Sequence, residues 1–164
     1  SEKQSPVRQT ADHVVDKAAR IQSRDSDGSS LSEAQVVWSD LDSDVAILKT
    51  TQARPAFRLE TQPSTPGQHV CVIANPFGLG ISMSCGIVSG PYRRGIGFNT
   101  LEHFIQTDAA VNPGASGGAL VNADGELLGM VAAIFTKEAD IDAGINFAIS
   151  TELIVERIKQ LEIP

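Results

Sequence analysis

Short apolar runs are separated by polar residues along most of the chain, a pattern that predicts strands rather than long helices. The stretch 75–80 is rich in glycine and proline, so we expect the runs on either side of it to form an antiparallel hairpin. The predicted strands are 21–24, 34–38, 45–48, 70–74, 82–88, 104–107, 118–121 and 127–133. Strands at spacings of about ten residues favour an all-β sandwich or barrel.

Two segments have a helical pattern. Residues 11–20 predict a helical turn or short helix, with Thr10 available as its cap. Residues 151–162 predict a closing helix with an apolar stripe formed by Leu153, Ile154, Ile158 and Leu161. Residues 89–103, with their glycines and the Arg93-Arg94 pair, predict a mobile loop whose arginines are solvated.

Length and charge narrow the function classes. The 164 residues predict one domain with a core of its own, and the net charge of −7 disfavours nucleic acid or an anionic membrane as the main partner. No run approaches the roughly 20 apolar residues of a membrane span. The polar start, residues 1–6, is not a signal peptide, which predicts either a cytoplasmic protein or the mature form of an exported one.

The segment most suggestive of chemistry surrounds Ser116. Gly114, Gly117 and Gly118 leave room for a peptide to approach the hydroxyl, as a nucleophile requires. The backbone N–H groups of Gly114 and Ser116 could converge as an oxyanion hole. An ordinary glycine-rich turn remains the alternative when this segment is considered alone.

A serine nucleophile needs a base and an orienting carboxylate. The chain has three histidines. His13 and Asp44, which directly precedes the strand 45–48, place the three residue types in the order His, Asp, Ser, as in chymotrypsin-type proteases. A lipase or esterase of the α/β-hydrolase type has the serine first, so this order excludes it.

These segments resemble the protease domain of the HtrA/Deg family of serine endopeptidases. The matching stretches are 10–15 around His13, 42–49 around Asp44, 74–80, 106–120 around Ser116, and 144–149. The resemblance implies two six-stranded antiparallel β-barrels with a C-terminal helix and an active site in the cleft between the barrels. It also implies that His13, Asp44 and Ser116 form a catalytic triad.

The resemblance also implies a division of the chain and a specificity. Residues 1–60 would form the first barrel, 66–150 the second and 151–162 the helix. Ala110 would lie at the base of the specificity pocket, with Ile145 and Phe147 on its walls, which predicts cleavage after small aliphatic residues. A substrate strand would add beside residues 130–133, thus against Val131, Ala132 and Ala133.

Three departures from the family pattern stand beside this match. Ala115 replaces a usual Asn and Ala119 a frequent Pro. Only 12 residues precede His13, so we expect the first barrel to be incomplete by about two strands. A catalytically inactive homologue that binds or scaffolds polypeptides is therefore the competing hypothesis.

The resemblance implies partners and a location as well. Extended or unfolded polypeptides would be the substrates, a homotrimer the assembly, and the periplasm or another exported site the location. The PDZ domain common in the family would lie outside this chain.

No cofactor or metal is predicted. His69 and His103 are interpreted as solvated, and the Asp40, Asp42 and Asp44 series lacks the Gly and Glu of a calcium loop. Cys71 and Cys85 flank the predicted hairpin and could lie opposite each other, but two reduced core thiols are the favoured interpretation.

Overall fold

The computed structural model describes residues 7–25, 28–60, 62–132 and 144–160. The first four strands form one antiparallel sheet in the spatial order β1-β4-β3-β2. Their bounds are β1 (Val7–Ala11), β2 (Ile21–Arg24), β3 (Leu31–Asp40) and β4 (Val45–Thr50). A single helical turn, α1 (Asp12–Val15), follows β1 directly.

The remaining six strands close into an antiparallel barrel in the order β10-β7-β6-β5-β8-β9. Their bounds are β5 (His69–Ala74), β6 (Ser82–Arg93), β7 (Phe104–Thr107), β8 (Ala119–Asn122), β9 (Leu127–Ala132) and β10 (Asn146–Ser150). The helix α2 (Thr151–Lys159) follows β10, and the Ser150 hydroxyl caps it by accepting a hydrogen bond from the Leu153 amide.

The burial of the strands explains their positions. Along β5 the side chains alternate, so that Val70, Val72 and Ala74 point into the barrel core while the residues between them face outward. All six residues of β9 are buried, because this strand is covered on both faces.

A second apolar cluster joins the sheet to the barrel. Ala11 and Val45 of the sheet pack there with Phe104, Met130 and Ile149 of the barrel. Leu153 and Ile154 of α2 complete this cluster, and the partly buried Trp38 of β3 packs against it. The cluster therefore fixes the end of β1 and the start of β4 against the barrel.

The predicted fold class is confirmed: the described residues form one closed barrel, one open four-stranded sheet and a C-terminal helix. The 75–80 turn joins β5 to β6 as an antiparallel hairpin, also as predicted. The predicted apolar stripe of α2 is seen at Leu153, Ile154 and Ile158, while Leu161 lies outside the described residues.

One strand was not predicted, and two local predictions are wrong. Residues 7–11 form a strand for which the sequence gives little signal, because their alternation is weak and their order comes from pairing with β4. Thr10 lies in that strand and does not cap α1, which is only one turn long. The predicted loop 89–103 begins later, since β6 continues to Arg93.

The cysteines also differ from the favoured interpretation. Cys71 and Cys85 lie directly opposite each other on β5 and β6, with their Cα atoms 4.0 Å apart, and they form a disulfide. Both side chains are on the outer face of the barrel, because the neighbouring residues Val70 and Val72 point inward. The prediction of two reduced core thiols is therefore wrong.

Candidate active site

The structure brings His13, Asp44 and Ser116 into contact where the sheet meets the barrel. The distance from His13 Nδ1 to Asp44 Oδ2 is 2.7 Å, and that from His13 Nε2 to Ser116 Oγ is 3.2 Å. The His13 amide also donates to Asp44 Oδ1 at 2.9 Å, so both carboxylate oxygens contact the same histidine. Asp44 therefore holds the imidazole of His13 in an orientation that directs Nε2 at the Ser116 hydroxyl.

Backbone geometry positions Asp44 at the start of β4. Its φ of 58° lies in the left-handed region, which is uncommon for residues other than glycine but which aspartate enters more readily than most. The Asp12 amide donates to the Asp44 carbonyl at 3.1 Å, which ties the turn 41–44 to the residue before His13. The two residues that face each other in the site are thus fixed through adjacent backbone as well as through their side chains.

The turn 41–44 is also fixed to α2. The Arg157 Nε of α2 donates to Asp40 Oδ2 at 2.7 Å, and the buried Ser43 hydroxyl donates to the same oxygen at 2.5 Å. Burial raises the pKa of the Asp40 carboxyl, but these hydrogen bonds outweigh it, so that the pKa lies below its usual value. Asp40 is therefore an ionised anchor between the sheet and the helix, which we call the Asp40–Arg157 clamp.

The loop before β8 is compact around Ser116. Gly117 has a φ of 83°, and a Cβ atom at this position would lie 2.7 Å from the Thr10 hydroxyl of β1. The Gly117 amide donates to the Val131 carbonyl at 2.9 Å, and the Val131 amide donates to the Gly118 carbonyl at 2.8 Å. Only glycine at 117 permits this close approach of the serine loop to β1.

A second contact orients the peptide two residues before the serine. The Phe77 amide donates to the Pro113 carbonyl at 2.8 Å. Since carbonyl and N–H point in opposite directions across a trans peptide, the Gly114 N–H is directed away from Phe77. Within the described parts of the chain, neither the Gly114 nor the Ser116 amide has a hydrogen-bond acceptor, so both are available to one.

The electrostatics of the site are dominated by His13 and its acidic neighbours. The hydrogen bond to Asp44 raises the pKa of His13 above its ordinary value, and burial only partly opposes this. Asp12, which is 4% exposed, has a raised pKa because burial disfavours its charge more than the Ser39 hydrogen bond favours it. The site therefore favours a positive charge on the imidazole.

The residues predicted to bind substrate lie in different environments. Ala110 is exposed and lines a cavity of about 100 Å³ with Asn112 and Ala115. Phe147, predicted to line a wall of the same pocket, is partly buried against the cluster between sheet and barrel, with its ring centroid 5.7 Å from that of Phe104 and 5.9 Å from that of Phe98. Ile145 is 55% exposed.

Asn146, which was not among the predicted site residues, is the β10 residue that contacts the segment before Ala110. Its side-chain amide donates to the Ala109 carbonyl at 3.0 Å. The alternation of strand faces could have indicated it, since Asn146 shares a face with Ala148 of the barrel core, whereas Phe147 has the opposite face.

The expected strand partners of a substrate lie on β9. The Val131 backbone is already bonded to Gly117 and Gly118 through both its amide and its carbonyl, and does not offer them to a substrate strand. Ala132 is paired with Phe147 of β10. Ala133 lies outside the described residues.

His103 lies in a different environment from the one that its sequence pattern predicts. It is 5% exposed and stacks on Tyr92 with ring centroids 4.9 Å apart, so the expectation of a solvated position is wrong. Burial lowers its pKa. It lines a cavity of about 580 Å³ beside α2 to which neither His13 nor Ser116 contributes.

Comparisons with known proteins give peptidases as the relatives of this chain. The model of the trypsin-like peptidase domain matches residues 9–130. A probable periplasmic DegP-like serine endoprotease of Buchnera aphidicola subsp. Baizongia pistaciae is 41% identical over 148 residues, which cover 88% of this chain and 31% of that protein. The periplasmic serine endoprotease DegP of Escherichia coli K12 is 39% identical over 155 residues, which cover 93% of this chain and 32% of that protein.

Solved structures show the same relationship. The HtrA-type protease AlgW with a decapeptide superposes with a TM-score of 0.89 at 41% identity, over 96% of this chain and 49% of that chain. The serine endoprotease from Yersinia pestis superposes with a TM-score of 0.81 at 34% identity, over 96% of this chain and 54% of that chain.

The chain thus spans about a third of the length of the curated relatives that it matches. Among the described residues, no helix has the length and apolar character needed to cross a membrane. On the domain match, the identities and the superpositions together, the chain belongs to the trypsin-like peptidases, as a protease domain of the HtrA/Deg type.

Proposed function

We propose that this chain is the catalytic part of a serine endopeptidase in which His13, Asp44 and Ser116 act as the triad. The observation that carries the proposal is the continuous contact from Asp44 through His13 to the Ser116 hydroxyl, with distances of 2.7 and 3.2 Å. These lengths are at hydrogen-bond reach, as a base needs for the proton it abstracts.

The steps follow from the contacts. His13 Nε2 takes the proton of the Ser116 hydroxyl as the oxygen attacks the peptide carbonyl, and then gives it to the leaving amine. Asp44 holds the imidazole tautomer and stabilises the imidazolium, which agrees with the raised pKa of His13. The free Gly114 and Ser116 amides are the proposed oxyanion hole, whose donors in such sites each contribute about 3–4 kcal/mol.

The proposed specificity rests on Ala110. Its short, neutral side chain in a small cavity leaves space for an aliphatic group and offers no carboxylate to a lysine or arginine. We propose cleavage after small aliphatic residues, with Asn146 holding the Ala109 segment in position. Extended or unfolded polypeptides are the proposed substrates, since a peptide must present its backbone to the serine loop in an open conformation.

The proposal also covers the assembly and the location of the chain. The names of the relatives describe periplasmic proteases, and we propose that this chain too acts after export. The Cys71–Cys85 disulfide supports this location, because disulfides persist in oxidising compartments. A homotrimer is proposed from the family resemblance alone, and sedimentation of the purified chain tests it.

Two measurements test the catalytic proposal. Casein hydrolysis and labelling by a fluorophosphonate should both be seen with the wild-type chain and be lost in Ser116→Ala and in His13→Ala. Ser32→Ala, a serine of β3 outside the site, is the matched control and should retain both. Equal background signals from wild type and Ser116→Ala would refute the peptidase proposal and favour the inactive, polypeptide-binding homologue.

The specificity is tested with peptides that differ at the residue before the cleaved bond. Val and Ala there should give a higher kcat/KM than Phe or Lys. A preference for Lys would refute the role proposed for Ala110.

A further inference from the structure

Three side chains with metal-binding atoms meet on the outer face of the barrel, outside the candidate active site. His69 and Cys71 are two residues apart on β5 and therefore share a face, and Cys85 on β6 lies directly opposite Cys71. One imidazole nitrogen and the two sulfurs lie within 4.8 Å of one another. We call these three residues the outer-face cluster.

The chemistry of the cluster suits a thiophilic divalent cation. Two thiolates and an imidazole are a ligand set typical of tetrahedral zinc, with Zn–S distances of about 2.3 Å and Zn–N distances of about 2.0–2.1 Å. Ligand atoms around such an ion are separated by about 3.5–3.8 Å. Because the side chain of His69 is exposed, a small rotation can bring its ring nitrogen from within 4.8 Å to that separation.

The disulfide and the metal exclude each other. In the structure the two sulfurs are bonded, and a disulfide offers no thiolate. We propose that reduction of the Cys71–Cys85 disulfide converts the outer-face cluster into a zinc site with ligands His69, Cys71 and Cys85. A water molecule would take the fourth position, since no other described His, Cys, Asp or Glu joins the cluster.

The conversion balances with a dithiol as the reductant. The dithiol gives two electrons and two protons to the protein disulfide and becomes a disulfide itself, leaving Cys71 and Cys85 as thiols. Zinc binding then displaces one proton from each thiol. In the reverse step a disulfide compound is the oxidant: it takes two electrons from the two thiolates and two protons from water, becomes a dithiol, and leaves the Cys71–Cys85 disulfide and the released ion.

The position of the outer-face cluster on the barrel makes it accessible to the dithiol and to zinc. Cys85 and His69 are exposed, and Cys71 is partly buried. Exposed disulfides are the more readily reduced ones, whereas core disulfides are protected from exchange. The β5–β6 pairing that sets Cys71 opposite Cys85 has further residue pairs on both sides of this one, so the strands remain in register once the covalent bond is broken.

The experiment uses the full chain with Ser116→Ala, which prevents self-cleavage. One portion is kept oxidised, and the other is reduced with dithiothreitol and freed of it by gel filtration without oxygen. Zinc is counted by native mass spectrometry, and cobalt(II) replaces zinc for absorption spectroscopy. The variants compared are His69→Gln, Cys71→Ser with Cys85→Ser, and His13→Ala as a histidine control at the candidate active site.

The reduced chain should bind one zinc ion and the oxidised chain none. Cobalt(II) in the reduced chain should give sulfur-to-metal charge-transfer absorption. His69→Gln should keep that absorption but weaken zinc binding at least about tenfold, since even residues that only support a ligand contribute 10–100-fold. His13→Ala should leave zinc binding unchanged.

Three results would overturn the proposal: equal zinc uptake by the oxidised and reduced chains, unchanged affinity in His69→Gln, or unchanged uptake in the double serine variant. Circular dichroism of each variant checks that the barrel is folded. The exposed positions of His69 and Cys85 make loss of the fold an unexpected outcome for substitutions there.

Discussion

Removing Arg157 from the Asp40–Arg157 clamp should destabilise the connection between sheet and helix. The Arg157 side chain is 23% exposed and that of Asp40 is 9% exposed, so Arg157→Met leaves a mostly buried carboxylate with Ser43 as its remaining side-chain donor. Exposed ion pairs contribute about 0–1 kcal/mol, and loss of one partner of a fully buried pair costs about 3–5 kcal/mol. For this partly exposed pair we expect a loss of about 2–3 kcal/mol in the free energy of unfolding.

Thermal unfolding followed by circular dichroism measures the effect. A loss of this size corresponds to a Tm lower by about 5–10 °C in a domain of this length. Lys159→Met removes the same charge from an exposed position of α2 and should change the Tm by far less. The double variant Asp40→Asn with Arg157→Met should recover at least half of the loss, because it no longer buries an unpaired charge.

The dependence on pH tests the cause. The folded pKa of Asp40 lies below its ordinary value of 3.8, so the stabilisation from its charge is complete above 3.8 and is lost as the pH falls through the folded value. The difference between wild type and Arg157→Met should therefore be full near neutral pH and should narrow in acid. Two results would refute this account of the clamp: a stability difference between wild type and Arg157→Met that is the same near neutral pH and in acid, or no recovery of stability in the double variant.

Three further predictions concern the site. The raised pKa of His13 places the acid limb of kcat/KM above 6.5, because the base must be neutral; Asp44→Asn should move that limb to lower pH and reduce kcat by about 10⁴. An acid limb that stays in place in this variant would contradict the role of Asp44. Gly117→Ala should abolish casein hydrolysis through its contact with β1, whereas Gly125→Ala, also at positive φ but in open space, should cost only about 1–2 kcal/mol of stability and leave hydrolysis intact. Asp12→Asn should raise the free energy of unfolding near neutral pH, since the raised pKa of this carboxyl means that its charge costs stability there; urea titrations at neutral and acid pH should show the gain vanishing below 3.8.

The strands were largely predictable because their alternation and their turns are local features. β7, with bounds 104–107, was predicted without error. β1 was not, since Val7–Ala11 owe their order to β4, which is distant in sequence. The same reason applies to His103, whose burial comes from Tyr92 and α2 and not from its sequence neighbours.

The candidate site also has features that local sequence predicts and features that depend on distant parts of the chain. The order of His13, Asp44 and Ser116 in a familiar pattern predicted which residues would meet, and the structure brings them together. The Phe77 contact to Pro113 and the Asn146 contact to Ala109 depend on how strands from different parts of the chain close the barrel. Local sequence patterns carry no signal for such contacts, apart from the alternation of faces on β10.

The apolar cluster between sheet and barrel gives this protein a built-in optical reporter. Trp38 is the chain's only tryptophan, and it packs against that cluster. Its emission will respond to water entering between sheet and barrel, while circular dichroism follows the strands themselves. His13 and Asp44 belong to one side of this junction and Ser116 to the other, so a red shift of the fluorescence marks the point at which the triad separates, even where the barrel stays folded.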